Sequence, residues 1–207
     1  MVVIPGGQFM NVKIPPFLIS KTPITEAQWD QVNRLPQINI ELPHPSQFKK
    51  SQRHPFECIS FWQANEFCKR LAKVTQQDYR LPSEIQWEYA CRSGTMTDFS
   101  FGDVLTKEIA NYDSSETTDV EKYFANSWGL YDMHGNVYEW CVDHWRSTLE
   151  IPLKDSNPYF SSDDDSRRVI RGGSWFFGPS QCKSAYRHSS HPSNVSSLVG
   201  FRLVCSF

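Results

Sequence analysis

The sequence predicts a single domain of the α+β class that spans residues 1–207. Three segments carry the N-terminal capping pattern of a helix, in which a Ser or Thr is followed three residues later by Gln. Short apolar runs bounded by Gly and Pro lie near both ends of the chain and indicate strands. No repeat, heptad or linker divides the chain, and 207 residues suffice for one sizeable core.

The first quarter of the chain predicts a strand pair, a helix and a long loop. The runs VVIPGGQFM and PPFLIS are apolar and interrupted by Gly and Pro, which suits a pair of strands. Thr25 is the predicted N-cap of a helix over TEAQWDQV, with Gln28 at the reciprocal capping position. Residues 33–55 are rich in Pro and polar side chains, so we expect a long loop there.

Two further helices are predicted after this loop. Ser60 and Gln63 form a capping box at the start of SFWQANEFCKRLAKVTQ, where apolar residues recur at helical spacing. Ser83 and Gln86 repeat the pattern in RLPSEIQWEYACRSG, and Gly94 marks the expected end of that helix. The first of these helices should therefore pack one apolar face against the core, and the second should pack Ile85, Tyr89 and Trp87.

The second half of the chain has few periodic runs. Long irregular segments in compact domains are usually functional or are held by an ion or by dense side-chain contacts. We expect short strands in SWGLYDM and GNVYEWCVDHW, on either side of a turn at Gly135. RRVIRGGSW and VGFRLVCSF are predicted as the final strands.

Composition excludes several classes of partner. The formal net charge is −2, so no basic surface argues for nucleic acid. No window reaches the apolar length of a membrane span, so we expect no membrane insertion. The start MVVIPGGQFM lacks the basic and apolar pattern of a secretory signal, which favours a cytoplasmic protein.

The six cysteines are predicted to be free thiols. They are widely spaced, no CxxC pair occurs, and most lie in apolar helix or strand patterns. Disulfides persist mainly in oxidising compartments, which this sequence gives no reason to expect. A zinc ribbon is also unfavoured, because it needs closely paired cysteines.

Five phrases in fixed order carry a family resemblance: IPGGQFM, RLPSEIQWEYACRSG, GLYDMHGNVYEWC, RVIRGGSW and GFRLV. Together they resemble the formylglycine-generating-enzyme-like family, over nearly the whole chain. The resemblance implies a variant of the C-type lectin fold, with a few helices, short antiparallel strands and much irregular structure. That family includes oxidases, iron-dependent sulfoxide synthases and non-catalytic binding proteins, so the site must decide the function.

The resemblance implies no catalytic residues here. The oxidases use two cysteines, five positions apart, shortly after the GGSW-like segment. Cys182 falls on the second of these positions, but Phe177 falls on the first and has no thiol. The sulfoxide synthases need three iron-binding histidines, and the six histidines here show no helical ligand spacing. We therefore expect a protein that is not an enzyme.

The same resemblance offers a candidate calcium site, although no cofactor is required for the expected function. Resembling enzymes hold calcium through the positions that match Asp132, Gly135, Val137 and Glu139. Hard oxygen ligands at such a turn suit calcium. The alternative is that Asp132 caps the turn while Glu139 pairs with an arginine such as Arg171 or Arg202.

The C-terminal segment, about residues 169–207, resembles the variable region of proteins diversified by diversity-generating retroelements. Its frame is RVIRGGSW, then Pro, CKSA, Arg, a second Pro and GFR, with mixed residues in the gaps. In such proteins adenine-specific errors randomise template asparagine codons. The gap residues are reachable from an asparagine codon by changing its first two bases, and Gln181 is not.

Fourteen gap positions are predicted to form a ligand-binding surface, which we call the variable patch: Phe176, Phe177, Gly178, Ser180, Tyr186, His188, Ser189, Ser190, His191, Ser193, Asn194, Ser196, Ser197 and Leu198. We expect their side chains to be exposed and Trp175 to be a buried anchor. The predicted ligand is a protein or another macromolecule. The alternatives are an enzyme of the formylglycine-generating or sulfoxide-synthase type, and a regulatory module of a larger effector protein.

Overall fold

The computed structural model describes residues 1–148 and 157–206. All three predicted helices are confirmed. Each begins at a capping box, in which the side chain of Thr25, Ser60 or Ser83 accepts a hydrogen bond from the backbone N–H three residues later. The helices are α1 (Glu26–Asn33), α2 (Phe61–Thr75) and α3 (Glu84–Arg92).

Ten short strands form three sheets within the described residues. They are β1 (Val2–Ile4), β2 (Gly7–Phe9), β3 (Val12–Ile14), β4 (Phe17–Ile19), β5 (Tyr79–Arg80), β6 (Tyr138–His144), β7 (Arg168–Arg171), β8 (Arg187–Ser190), β9 (Val199–Gly200) and β10 (Val204–Cys205). One sheet has the order β1-β4-β10-β5 and a second pairs β2 with β3. The third sheet has the order β8-β7-β6-β9, in which only the β6–β9 pair is parallel.

The strand predictions were coarser than the structure. The expected strand pair near the start consists of four strands, because Pro and Gly split the first apolar run into β1 and β2, and β3 lies between the two predicted runs. The final run VGFRLVCSF is divided between β9 and β10, which lie in different sheets. The prediction of a strand over SWGLYDM is wrong, since residues 127–137 form turns and only β6 follows them. Gly135 lies in this turn at a φ of +98°, a conformation that favours glycine.

Two apolar clusters build the core on either side of the β8-β7-β6-β9 sheet region. In one cluster, Trp29 stacks on Phe56 with ring centroids 4.0 Å apart and meets Phe201 edge-on. In the other, α3 contributes Trp87 against residues from β1 to β4. Every residue of α3 is buried, so the expectation that Ile85, Tyr89 and Trp87 pack is confirmed but underestimates the burial of the helix.

Buried ion pairs join α3 to the sheet that carries the C-terminal segment. Arg171 on β7 pairs with Glu88 on α3. Arg187 on β8 forms a bidentate pair with Glu84, with N–O distances of 2.6 and 2.8 Å. These charge-assisted bonds hold β7 and β8 against the helix. Among the described residues, no helix has the length and apolar character that crossing a membrane requires.

Candidate ligand-binding surface

Strand β8 places part of the variable patch at the edge of a sheet. It pairs antiparallel with β7, so that His188 lies opposite Ile170 and Ser189 lies opposite Val169. Successive side chains on a strand point to opposite faces. His188 is accordingly exposed, whereas Ser189 is buried with 7% of its surface accessible. The segment RHSSHPSN shows no clear periodicity in sequence, yet its first four residues form the strand β8.

The loop after β8 is held by its main-chain carbonyl groups. Phe61 N–H donates to the carbonyl of Pro192 at 3.0 Å, and Cys58 N–H donates to that of Ser196 at 3.0 Å. Tyr138 N–H donates to the carbonyl of Leu198 at 2.7 Å. All three donors belong to the fixed part of the chain. Because a carbonyl is present whatever the side chain, this anchoring does not depend on which residues fill the loop.

The Trp175–Phe177 segment is anchored in the same way. Ser114 N–H donates to the carbonyl of Trp175 at 2.7 Å, and Asp113 N–H donates to that of Phe177 at 2.9 Å. The indole N–H of Trp175 donates to the carbonyl of Ser197 at 3.0 Å. Trp175 thus joins the two halves of the variable patch. It is half-buried, so the expectation of a fully buried anchor is wrong.

Side-chain exposure divides the variable patch into three groups. Six members are exposed: Phe176, Ser180, His188, His191, Ser193 and Asn194. Seven are half-buried: Phe177, Gly178, Tyr186, Ser190, Ser196, Ser197 and Leu198. Of these, Phe177, Tyr186 and Leu198 pack against the core cluster.

The expectation of exposed side chains with few core contacts is wrong for Phe177, Tyr186 and Leu198, and most clearly for Ser189, which is buried. Its hydroxyl accepts a hydrogen bond from Arg167 Nε at 2.8 Å, and Arg167 also donates to its carbonyl. The pairing of β8 with β7 turns this side chain inward. Ser189 therefore supports the surface and does not present a side chain to a ligand.

A row of aromatic rings crosses the variable patch. The neighbouring centroids are 5.5 Å apart for Phe48 and Trp175, 5.7 Å for Trp175 and Phe176, and 5.4 Å for Phe176 and Phe177. The row continues from Phe177 to Tyr138 at 5.7 Å, from Tyr138 to His188 at 5.8 Å and from His188 to Tyr186 at 6.5 Å. Adjacent aromatic rings of this kind supply a large and rigid contact area.

Two members of this row, Phe48 and Tyr138, were not predicted from the sequence. Phe48 lies in the long loop and is held there by Glu57, whose carboxylate accepts hydrogen bonds from the N–H groups of Gln47 and Phe48 at 2.6 and 2.9 Å. Tyr138 is the first residue of β6 and is almost fully buried beneath Phe177 and His188. The signal in the sequence for Phe48 is that it is an aromatic residue within a polar loop. No local pattern indicates that Tyr138 belongs to the aromatic row.

Two lysines near the variable patch are paired with carboxylates. Lys50 pairs with Glu116, and Lys183 pairs with Asp98 at 2.7 Å. Partial desolvation of the His188 ring beside Tyr138 lowers its pKa, and the nearby Arg167 lowers it further. The neutral form of His188 is therefore favoured, and it adds a neutral hydrogen-bonding group to the aromatic row.

Cys182, the one cysteine at a position that matters for oxidase chemistry, is buried in the core beside Cys91 and His134. Burial raises the pKa of the Cys182 thiol to about 12, and that of the Cys91 thiol likewise to about 12. A buried thiol with a raised pKa is a poor nucleophile and a poor metal ligand. Burial also lowers the pKa of His134 to about 4, and the ring of His134 bonds the carbonyl of Cys182 at 2.8 Å. All six cysteines are free, as predicted.

The two carboxylates among the candidate calcium ligands already accept hydrogen bonds from protein donors. Glu139 bonds Arg202 through both carboxylate oxygens, at 2.6 and 2.7 Å, and also accepts a hydrogen bond from the Trp87 indole at 2.6 Å. Asp132 accepts hydrogen bonds from Glu121 N–H at 3.1 Å and from the Asn136 amide at 3.4 Å. Gly135 and Val137 lie between them in the turn and at the start of β6.

The residues present therefore do not fit calcium, because a guanidinium already occupies the carboxylate that calcium would need. The alternative interpretation describes the structure, since Glu139 pairs with Arg202 and Asp132 bonds within the turn. Across residues 1–148 and 157–206, no three His, Cys, Asp or Glu side chains are grouped so that they could hold a metal ion.

Three helices and several small sheets around an irregular segment define a C-type lectin fold of the formylglycine-generating-enzyme type. The family model for the sulfatase-modifying factor enzyme 1-like domain matches residues 1–207, so the chain belongs to that family. The predicted family resemblance is thereby confirmed.

Relatives in this family have diverse names. The chain is 37% identical over 152 residues to the serine/threonine-protein kinase Pkn1 of Chlamydia caviae, an alignment that covers 72% of this chain and 24% of the kinase. It is 30% identical over 169 residues to the formylglycine-generating enzyme of Streptomyces coelicolor, covering 72% of this chain and 52% of the enzyme. The chain thus spans about a quarter of the first of these relatives and about half of the second.

A solved structure matches the whole fold. It is Treponema denticola variable protein 1, with a TM-score of 0.86 and 25% sequence identity. The match covers 100% of this chain and 95% of the other. The predicted likeness to variable proteins is therefore confirmed in fold.

Proposed function

We propose that this protein binds another protein as its macromolecular ligand through the variable patch. We also propose that a diversity-generating retroelement diversifies that patch. The observation that carries the proposal is the main-chain anchoring of the patch. Carbonyl groups of Trp175, Phe177, Pro192, Ser196 and Leu198 accept hydrogen bonds from fixed backbone donors. Side chains can then change without loss of the bonds that hold the segment.

The chemistry of the exposed side chains also supports binding. Phe176 has 58% of its surface exposed, and it continues the aromatic row from Trp175 to Phe177. Ser, Asn and His around it offer hydrogen bonds that adapt to different partners. Antibody binding loops use the same combination of rigid aromatic rings and small polar side chains. The fold shared with a variable protein of Treponema denticola supports the same conclusion.

We propose further that Phe48 contributes to every version of this surface. It contacts Trp175, yet it lies outside the segment expected to vary. Its half-buried ring would give all variants a constant apolar contact beside the variable one. In protein interfaces a few anchor residues usually supply most of the binding energy, and the residues around them contribute little.

Catalysis is not part of the proposal. Phe177 supplies no thiol at the position where the oxidases have a cysteine, and the remaining Cys182 is fully buried. The relevant assay combines the purified protein, copper, oxygen and a cysteine-containing sulfatase peptide. We expect no conversion above a Cys182→Ala control. Turnover that disappears in this control would favour the oxidase alternative.

The genetic part of the proposal is tested by sequencing the gene and its flanking DNA from independent isolates. We expect an adenine-rich near-copy of the 3′ coding region beside a reverse-transcriptase gene. Amino-acid differences between isolates should concentrate at exposed members of the patch, such as His188 and Asn194. Differences spread evenly along the chain, with no such copy, would contradict diversification.

The structural part is tested by displaying two libraries on yeast and measuring the folded fraction with a protease. One library randomises Phe176, Ser180, His191, Ser193 and Asn194. The control library randomises five buried residues of the same segment: Ser184, Ser189, Pro192, Val199 and Gly200. We expect most members of the first library to resist the protease and most of the second to be cleaved. Equal loss in both libraries would contradict a surface built for replacement.

A further inference from the structure

The last framework arginine, Arg202, lies fully buried at the turn that precedes β6. Its guanidinium donates to both oxygens of Glu139, at 2.6 and 2.7 Å. It also donates to the carbonyl of Tyr131 at 2.9 Å and to that of Ser20 at 3.2 Å. One side chain therefore joins the end of β4, the turn and the start of β6.

This set of acceptors is a shell of hard oxygens around one positive charge. A carboxylate and main-chain carbonyls are also the ligands that calcium takes in proteins. Arg202 satisfies them through the directed N–H groups of its planar fork. A divalent ion bound to Glu139 would lie a few ångströms from this guanidinium, where like charges repel strongly inside a protein.

We infer that the guanidinium of Arg202 takes the place of a metal cation in this turn. The folded protein therefore binds no calcium there, and removal of the guanidinium would leave an oxygen site for a divalent cation. The carboxylate of Glu139 and the carbonyls of Tyr131 and Ser20 would form that site. The inference is independent of the variable patch and of its ligand.

The unaltered protein gives the first test. Its melting temperature is measured after dialysis against a chelator and again with excess calcium. We expect the two values to agree, because Arg202 already satisfies the shell. A ligand at a hundredfold excess over its dissociation constant would raise the melting temperature by more than about 5 °C. Such a rise, absent from the Glu139→Gln variant, would overturn the inference.

The Arg202→Ala variant gives the second test. We expect a much lower melting temperature, because Glu139 loses its partner in the core, and a rise when calcium is added. Terbium should bind the same site and emit light on excitation of Trp87, whose indole contacts Glu139. The matched control carries both Arg202→Ala and Glu139→Gln, and it should show neither the calcium-dependent rise nor the terbium emission. Because this control keeps surface carboxylates such as Asp163–Asp165, it also reports any ion binding there. Equal responses in both variants would contradict the proposed site.

The Arg202→Lys variant keeps the inference testable if the alanine variant does not fold. An ammonium group retains the charge but reaches fewer of the oxygens. We expect a lower melting temperature that calcium does not raise. A calcium-dependent rise with the lysine in place would show that the positive charge does not exclude the ion.

Discussion

Tyr138 and Glu139 are neighbours at the start of β6 and serve two regions that are stabilised in opposite ways. The ring of Tyr138 lies beneath Phe177 and His188 in the variable patch, while Glu139 bonds Arg202 and Trp87 on the side of the turn. The patch is held by main-chain groups, and the turn is held by specific side chains. We expect the first arrangement to tolerate substitution and the second not to, although both regions are irregular in sequence.

The largest effect should follow from breaking the turn. Glu139→Ala leaves Arg202 unpaired where neither side chain is exposed to solvent. Removal of one partner from a buried ion pair costs about 3–5 kcal/mol of unfolding free energy. Urea denaturation measures this cost. A loss below about 1 kcal/mol would mean that the pair is replaceable and that the two regions differ less than proposed.

Trp175 should have the largest effect within the variable region, because its side chain joins the two anchored segments. Trp175→Ala should cost about 2–3 kcal/mol, less than a fully buried Trp, since the ring is half-buried. Trp175→Phe keeps much of the packing and removes only the hydrogen bond to Ser197, so it should cost about 1 kcal/mol. Thermal or urea denaturation of both variants distinguishes packing from hydrogen bonding.

Two adjacent residues of β8, one buried and one exposed, test within the patch itself whether exposure decides which positions tolerate substitution. Ser189→Leu forces a larger side chain into a packed space and should cost about 1–3 kcal/mol. His188→Leu, one residue earlier on the exposed face, should change stability by less than about 0.5 kcal/mol. Similar losses at both positions would mean that exposure does not decide which positions can vary.

The smallest effect concerns the pH dependence of the turn. Burial raises the pKa of Asp132 to about 6, against an ordinary value of 3.8. A carboxyl group with a raised folded-state pKa contributes stability below its unfolded pKa, and this contribution is lost as the pH rises through about 6. Between pH 5 and pH 7 the loss should be about 1 kcal/mol. Melting curves of Asp132→Asn across this range should be flatter than those of the unaltered protein.

The helices could be predicted because their signals are local. Thr25, Ser60 and Ser83 each find their capping partner three residues away, so the start of each helix depends on one turn of chain. The variable patch was also recognisable as a segment, because its framework residues stand in a fixed order. Neither inference needed a contact between distant parts of the chain.

The errors lie where distant segments meet. Ser189 faces inward because β8 pairs with β7, about twenty residues earlier in the chain. Phe48 reaches the binding surface from a loop more than a hundred residues before Trp175. Arg202 and Glu139 are separated by 63 positions, and only their contact decides between an ion pair and a metal ligand.

The sequence by itself determined the family, the starts of the helices, the free state of the cysteines and the segment in which the variable patch lies. Each of these depends on residue types and short spacings. The tertiary structure alone decided which members of the patch face solvent, that Phe48 and Tyr138 complete the aromatic row, and that Arg202 occupies the turn. The physical reason is that exposure and charge pairing are set by strands and loops that are far apart in the chain, and no local pattern records which of them pack together.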